Sequence, residues 1–274
     1  MKAGFIRRLE WYEAMLLLLG LVAAVLLSAA GEWRAAGVPV LLFFGYGWLL
    51  KRYLPGSRGR LLAAYGAVWA EYAGFSTMVD LAGIPLRHEA LRAVDRWCFG
   101  RMPAEALRGA FAPWFYEWLS LAYLGYQIYL HWFLLEAWGR DKARRQAMCR
   151  WLFPGFAAGM GLYLLWPAAP PVSAFPELFG GPPTGGAITR CNADLNAALA
   201  ARYDAFPSLH VLITLLLLSW DWRFRRLRFW SMLPGSVLML LATLALGLHY
   251  AADLLAASIL FLFLTFLHAR IATR

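Results

Sequence analysis

Charge is what this chain has least of. Asp, Glu, Lys and Arg make up 15% of its 274 residues, against 61% hydrophobic ones, and its mean hydropathy is +0.54. A soluble core has no use for so much apolar sequence, so the balance excludes a soluble enzyme and implies a polytopic membrane protein. Cysteine is also scarce: Cys98, Cys149 and Cys191 form neither a Cys-x-x-Cys pair nor a metal-ligand spacing, so neither a cysteine-ligated zinc nor a Cys-x-x-Cys dithiol centre is expected. No internal repeat or low-complexity tract is present. The net charge of +10 lacks the clustering that nucleic-acid binding requires, because its basic residues fall in short blocks between apolar runs. Such blocks act as topology signals.

Apolar runs fall at about 12–29, 36–50, 61–79, 112–137, 149–167, 207–220, 229–246 and 248–268. A crossing needs about 20 mostly apolar residues. The expected fold is therefore an all-α, polytopic membrane helix bundle with about eight spans. It forms a single membrane domain over 1–274, in which 1–58 supplies two extra N-terminal helices and 59–274 a six-helix core. The first run is long enough to span, and Ser28-Ala-Ala30 is a weak cleavage site, so a retained anchor is expected. Placing the N-terminus inside puts 18 of the 26 basic residues in the cytoplasm, including Lys2, Lys51 and Lys142. The expected topology is thus N-in, C-in.

Two stretches carry chemistry. In Asp204-Ala-Phe-Pro-Ser-Leu-His210, Pro207 suits the first helical position, and the N–H groups near Ser208 and Leu209 then face outward at the positive end of a helix dipole. Such a corner binds phosphate. In His249-Tyr-Ala-Ala-Asp253 the histidine and carboxylate are four apart and share one helix face. Asp253 can then take the proton on one imidazole nitrogen and leave the other as a fixed lone pair. A second histidine, His210, could protonate a leaving oxygen. This constellation transfers phosphoryl groups without requiring a metal or other cofactor.

The two stretches resemble the second and third signature motifs of the type-2 phosphatidic acid phosphatase superfamily, a Pro-Ser-x-His and a His-x-x-x-Asp element. Ala205–His210, His249–Leu254 and the Pro-rich Trp166–Pro171 are most similar to the branch of inositol phosphorylceramide synthase and, more remotely, sphingomyelin synthase. The wider superfamily carries a Ser-Arg pair where this chain has Ala242-Thr243, a departure that branch is understood to share. The resemblance implies a lipid phosphotransferase with His249 as nucleophile, Asp253 as its orienting group and His210 as proton shuttle. Ser208, Arg190 and Arg202 are then the candidate ligands of the substrate phosphate. The implied partners are a phospholipid donor and a lipid alcohol such as ceramide or diacylglycerol. A phosphatase would use the same residues with water as acceptor, on phosphatidate or polyprenyl pyrophosphate. A transporter or scaffold with an idle site is the reading from another class. The charge pattern places the site on the non-cytoplasmic side, at the outer, periplasmic face of a bacterial inner membrane or the lumenal face of an internal one.

Residues 81–111 read as an amphipathic helix in the headgroup region, and 168–205 as an irregular Pro/Gly-rich loop turning helical after Ala187. Glu71 is expected to pair with another helix, and Glu117 to face the cavity. Cys98 and Cys191 fall on the oxidising side, where they either pair or remain separate thiols. The topology predicts that a cysteine at Gly185 reacts with an impermeant thiol reagent in intact cells, whereas one at Lys142 reacts only after the membrane is breached. The reverse pattern would overturn the orientation.

Overall fold

The computed structural model describes residues 9–180 and 185–272; Lys2, Arg7, Arg8 and Arg274, counted above as topology signals, lie outside the described residues. The architecture is helical, and the one β-bridge among the described residues joins Ala168 to Asp204. The long helices are α1 (Trp11–Ala29), α2 (Trp33–Arg52), α3 (Arg58–Leu81), α6 (Pro113–Gly139), α7 (Lys142–Leu165), α11 (Leu209–Phe224), α12 (Arg226–Ala245) and α13 (Ala251–Ala272). The shorter ones are α4 (His88–Phe99), α5 (Pro103–Leu107), α8 (Pro171–Ala174), α9 (Pro176–Phe179) and α10 (Ala187–Leu199). Among the described residues α1, α2, α12 and α13 combine the length and apolar composition needed to cross a bilayer. The protein is an integral membrane protein built of helices.

The chain packs as two compact units, the first made of residues 1–85 and 134–164. Here α1, α2 and α3 pack on one another, with their polar groups gathered at one end. Glu10 caps α1, and its own N–H donates to Glu13 Oε2 at 2.9 Å. Glu13 also takes a short bond from Arg60, whose remaining donors reach the carbonyls of Tyr53 and Leu50, each at 2.9 Å. Arg150 and Gln146 hold the Glu10 carboxylate at 2.6–3.0 Å. Arg145 donates to the carbonyls of Ala137, Gly56 and Trp138 at 2.8–3.1 Å. These arginines sit at the end that the charge pattern assigns to the cytoplasm, yet Arg60 is only 1% exposed. They hold helix ends together as well as marking topology.

Glu71 does not make the expected interhelical pair: among the described residues no cation meets it. Its carboxylate lies against Gly20, where a Cβ would come within 3.0 Å of Oε1, between two apolar crevices of about 260 and 380 Å³. The reason is local composition, since the walls around it, such as Leu42, Ala70 and Phe75, offer no charge.

The second unit comprises residues 86–133 and 165–274. In it α11 packs on both α12 and α13. At one end Asp221 accepts from Tyr129 Oη at 2.7 Å and from Arg228 Nε and Nη2 at 2.7 and 2.5 Å, while Trp132 lies 5.4 Å from the Arg228 guanidinium. That buried group fastens α6, α11 and α12 together. At their other end lies the candidate site. Residues 88–99 form the expected surface helix, with Leu91 and Asp95 buried and Trp97 86% exposed. Gly100 ends it in the left-handed conformation, φ 77°. The pairing of Cys98 with Cys191 is not made: both thiols are free, on exposed positions of α4 and α10.

Breaking one partner of a buried ion pair strands the other charge, at a cost of about 3–5 kcal/mol, whereas replacing both by apolar groups costs far less. Arg60→Ala is therefore expected to lower the melting temperature in detergent sharply, and Glu13→Leu combined with Arg60→Met to recover most of the loss. Equal losses in the single and double variants would contradict this account.

Candidate active site

Three stretches far apart in sequence build the site. Ala168 of the Pro-rich stretch exchanges backbone bonds with the segment before α11: its N–H donates to Tyr203 O at 3.2 Å, and its carbonyl accepts from Ala205 N at 3.0 Å. The same stretch reaches the His249 segment, since Tyr250 Oη donates to Ala169 O at 3.1 Å and Val172 N to Gly247 O at 2.9 Å. Gly247 turns the chain with φ 74°, and a Cβ there would stand 2.9 Å from the Phe179 ring. Only glycine fits both the angle and the space. The turn then brings His249 N to Thr243 O at 3.0 Å, so Thr243, where the wider superfamily has its arginine, is a buried backbone anchor.

The sequence placed Pro207 inside the helix; the structure places it one residue before the N-cap, which is Ser208. The Ser208 hydroxyl accepts from Val211 N at 3.4 Å, and the Ser208 N–H donates to Asp253 O at 3.4 Å instead of facing outward. Ser208 is fully buried because this backbone link ties α11 to α13. Among the described residues the amides of Leu209 and His210 meet no acceptor, so they remain at the positive end of the α11 dipole.

His249 is buried, and its tautomer follows from its neighbours. Nδ1 lies 2.9 Å from Ala205 O and 3.3 Å from Asp253 Oδ2, both acceptors, so Nδ1 carries the proton and donates it to them. In the neutral ring Nε2 is then a lone pair, and it faces His210 Nδ1 at 3.4 Å. Asp253 is held in turn by the Tyr250 N–H, which donates to Oδ2 at 2.8 Å. The expected catalytic three, His210, His249 and Asp253, therefore meet in one buried chain of contacts.

His210 is fixed by residues that the motifs do not contain. Its ring lies between Tyr123 and Tyr126 of α6, with centroids 4.6 and 4.8 Å away. Tyr123 Oη donates to Asn196 Oδ1 of α10 at 3.1 Å. The only sequence signal for this clamp is the i,i+3 spacing of the two tyrosines, which does not stand out among twelve.

The remaining candidates lie apart from this chain of contacts. Arg190 is exposed, its nearest bond a 3.5 Å contact to Gly185 O, and Arg202 is exposed with its guanidinium 5.3 Å from the Tyr203 ring. Glu117 does not face the cavity as expected: it caps α10, accepting from Ile188 N, Thr189 N and Thr189 Oγ1 at 2.6–3.0 Å. Those amides are the unpaired donors of the helix start and claim the carboxylate.

Fold and site together define a helical membrane protein in which the free Nε2 of one histidine faces a second histidine. A family model described as the PAP2 superfamily matches residues 89–267, and the chain belongs to that superfamily, whose members are generally phosphatases and phosphotransferases. No curated protein and no solved structure matches the chain.

Asp253→Asn removes a charge but leaves Ala205 O to hold the His249 tautomer. Turnover of a lipid phosphate is expected to fall by about 10²–10³-fold, short of the roughly 10⁴-fold typical of a triad whose ring turns over. A loss below tenfold, measured on folded protein, would show that Asp253 has no part in orienting or charging the ring.

Proposed function

We propose that the protein is a lipid phosphotransferase that moves a phospho-headgroup, phosphoinositol-like, from a phospholipid to a lipid alcohol such as ceramide or diacylglycerol. The observation that carries this reading is the His249 ring, with Nδ1 held by two acceptors and Nε2 turned to His210. In the first step Nε2 forms a bond to phosphorus, and the leaving oxygen departs with its bonding electrons and takes a proton from His210. The His210–His249 contact opens for this, because phosphorus bonded to Nε2 occupies the direction now facing His210. In the second step His210 removes the proton of the incoming hydroxyl. Its oxygen bonds to phosphorus, and the N–P electron pair returns to Nε2. The Leu209 and His210 amides, with the Ser208 hydroxyl, hold the non-bridging oxygens, and Arg190 and Arg202 are the cations available from the same side of the chain.

In this reading all eight long helices cross the membrane, with both termini in the cytoplasm and the site at the outer face of a bacterial inner membrane. Thr243 and Ala242 in place of a Ser-Arg pair support transfer to a lipid over ordinary hydrolysis. Purified protein incubated with a panel of labelled phospholipids, with and without ceramide or diacylglycerol, is expected to give a headgroup-bearing product only when the alcohol is present. Release of free phosphate from phosphatidate or a polyprenyl pyrophosphate would make it a phosphatase instead, and no turnover of any lipid would leave a non-catalytic scaffold or transporter.

The two histidines are expected to fail at different steps. His249→Ala forms no covalent adduct. His210→Ala still attacks a donor with a good leaving group, such as a nitrophenyl phosphate ester, and leaves acid-labile phosphate on the protein. Acid-labile phosphate on His249→Ala, or near-normal turnover by either variant, would overturn the assignment.

A further inference from the structure

The surface helix α4 carries one residue that does not belong on a surface. Its outer face bears Val94, Trp97 and Phe99, all exposed, but Asp95 points inward and is 0% exposed. Oδ2 accepts from Ala251 N at 3.0 Å and Oδ1 from Ala252 N at 2.8 Å. These are the first two amides of α13, between His249 and Asp253 in sequence. A helix is ordinarily capped by the residue just before it. Here the cap comes from 156 residues away. The preceding amide, Tyr250 N, goes to Asp253 Oδ2, so the start of α13 hangs on two carboxylates from different helices.

The arrangement is costly. Burial drives the Asp95 carboxyl above its ordinary acidity range, with the two amide bonds opposing that rise. A serine or asparagine at position 250 could cap the Ala252 amide without burying a distant carboxylate. What it could not do is fix α13 against α4. That helix is seated in its turn by Leu91, in a cluster with Phe175, Ala205 and Tyr250, and by Arg92, whose guanidinium lies 4.5 Å from the Phe175 ring. Ala205 supplies the carbonyl that holds His249 Nδ1. Asp95 therefore anchors the turn between His249 and Asp253 to the same cluster that supplies the other acceptor on the His249 ring.

We propose that Asp95 is a positioning residue for the His249–Asp253 pair. It acts by fixing the first turn of α13, and its charge favours the positive ring that exists while phosphorus is bonded to Nε2. The inference rests on the reading of His249 as nucleophile. It lies outside the Pro-Ser-x-His and His-x-x-x-Asp motifs and concerns a residue with no contact to substrate.

The test uses the full-length protein with Asp95→Ala, which loses both acceptors, and Asp95→Asn, which keeps the shape and one acceptor but loses the charge. Hydrogen exchange read by mass spectrometry needs no substrate. In Asp95→Ala the exchange of the 249–255 segment is expected to rise by roughly tenfold or more, and that of 188–199 in α10 to stay unchanged. With a labelled phospholipid donor and a lipid alcohol acceptor in vesicles, kcat is expected to fall on the order of 10²-fold for Ala and tenfold for Asn, with KM within about twofold. The groups facing the pair are His210 from α11 and Asp95 from α4, while Glu89 and Arg92 of α4 act on the intervening Tyr250. Removing the Asp95 negative charge is expected to move the acidic limb of the kcat pH profile to lower pH. A residue needed only for folding would lower the yield of folded protein without moving that limb. Unchanged exchange at 249–255 in Asp95→Ala overturns the proposal, as does wild-type kcat in the folded Asn variant. Should Asp95→Ala not fold, the Asn variant decides by its pH limb. If His249→Ala kept full turnover the nucleophile assignment would fail by itself, while the exchange measurement would still decide whether Asp95 holds the helix start.

Discussion

The bond from His249 Nδ1 to the carbonyl of Ala205 is the contact on which the site depends. It joins the turn after α12 to the segment before α11, and it decides which imidazole nitrogen keeps its lone pair. That carbonyl can be where it is only because the Ala168–Asp204 bridge pins the segment, and because Gly247 lets the chain double back with no side chain in the way. In a water-poor setting every one of these backbone groups must find a partner inside the protein. Irregular backbone at the head of the helices is tolerated here because the three stretches satisfy one another.

The same requirement explains the charges. Buried arginines at helix ends, Arg60 and Arg145 within the first unit and Arg228 within the second, are matched to carboxylates or to several carbonyls each. Sequence reasoning credited such residues with orientation alone, because a count of basic residues per loop does not reveal which of them fold back onto helix ends. Glu117 and Asp95 illustrate the converse. Each carboxylate reads as a surface or cavity group in the sequence, and each is taken up by the amides of another helix.

Much of the fold was legible. Seven of the eight long apolar runs became helices within four residues of their expected limits, since hydropathy reports such segments directly, while the helix expected from 149 begins at Lys142, in the polar stretch that hydropathy leaves out. Of the site, His210, His249 and Asp253 were legible because their spacing is local or their context distinctive. What could not be read were partners supplied from far along the chain: the Tyr123 and Tyr126 clamp, the Ala205 carbonyl, and the carboxylate of Asp95. A backbone carbonyl has no letter in the sequence, and a tyrosine in an aromatic-rich span resembles any other. The N-terminal boundary of α11 was misread by two residues because proline is compatible with several positions around a helix start, and only the Ser208–Val211 bond distinguishes them.

Because one of the two acceptors on His249 is main chain, it is beyond the reach of substitution. Every residue type at position 205 small enough to be buried presents the same oxygen in the same place. The nitrogen on which the ring carries its proton is thus inherited with the path of the backbone, and the carboxylate four residues on is free to vary in strength without turning the ring over. A lineage built on this scaffold could exchange the side chains and charges around the ring while its free Nε2 stayed turned the same way.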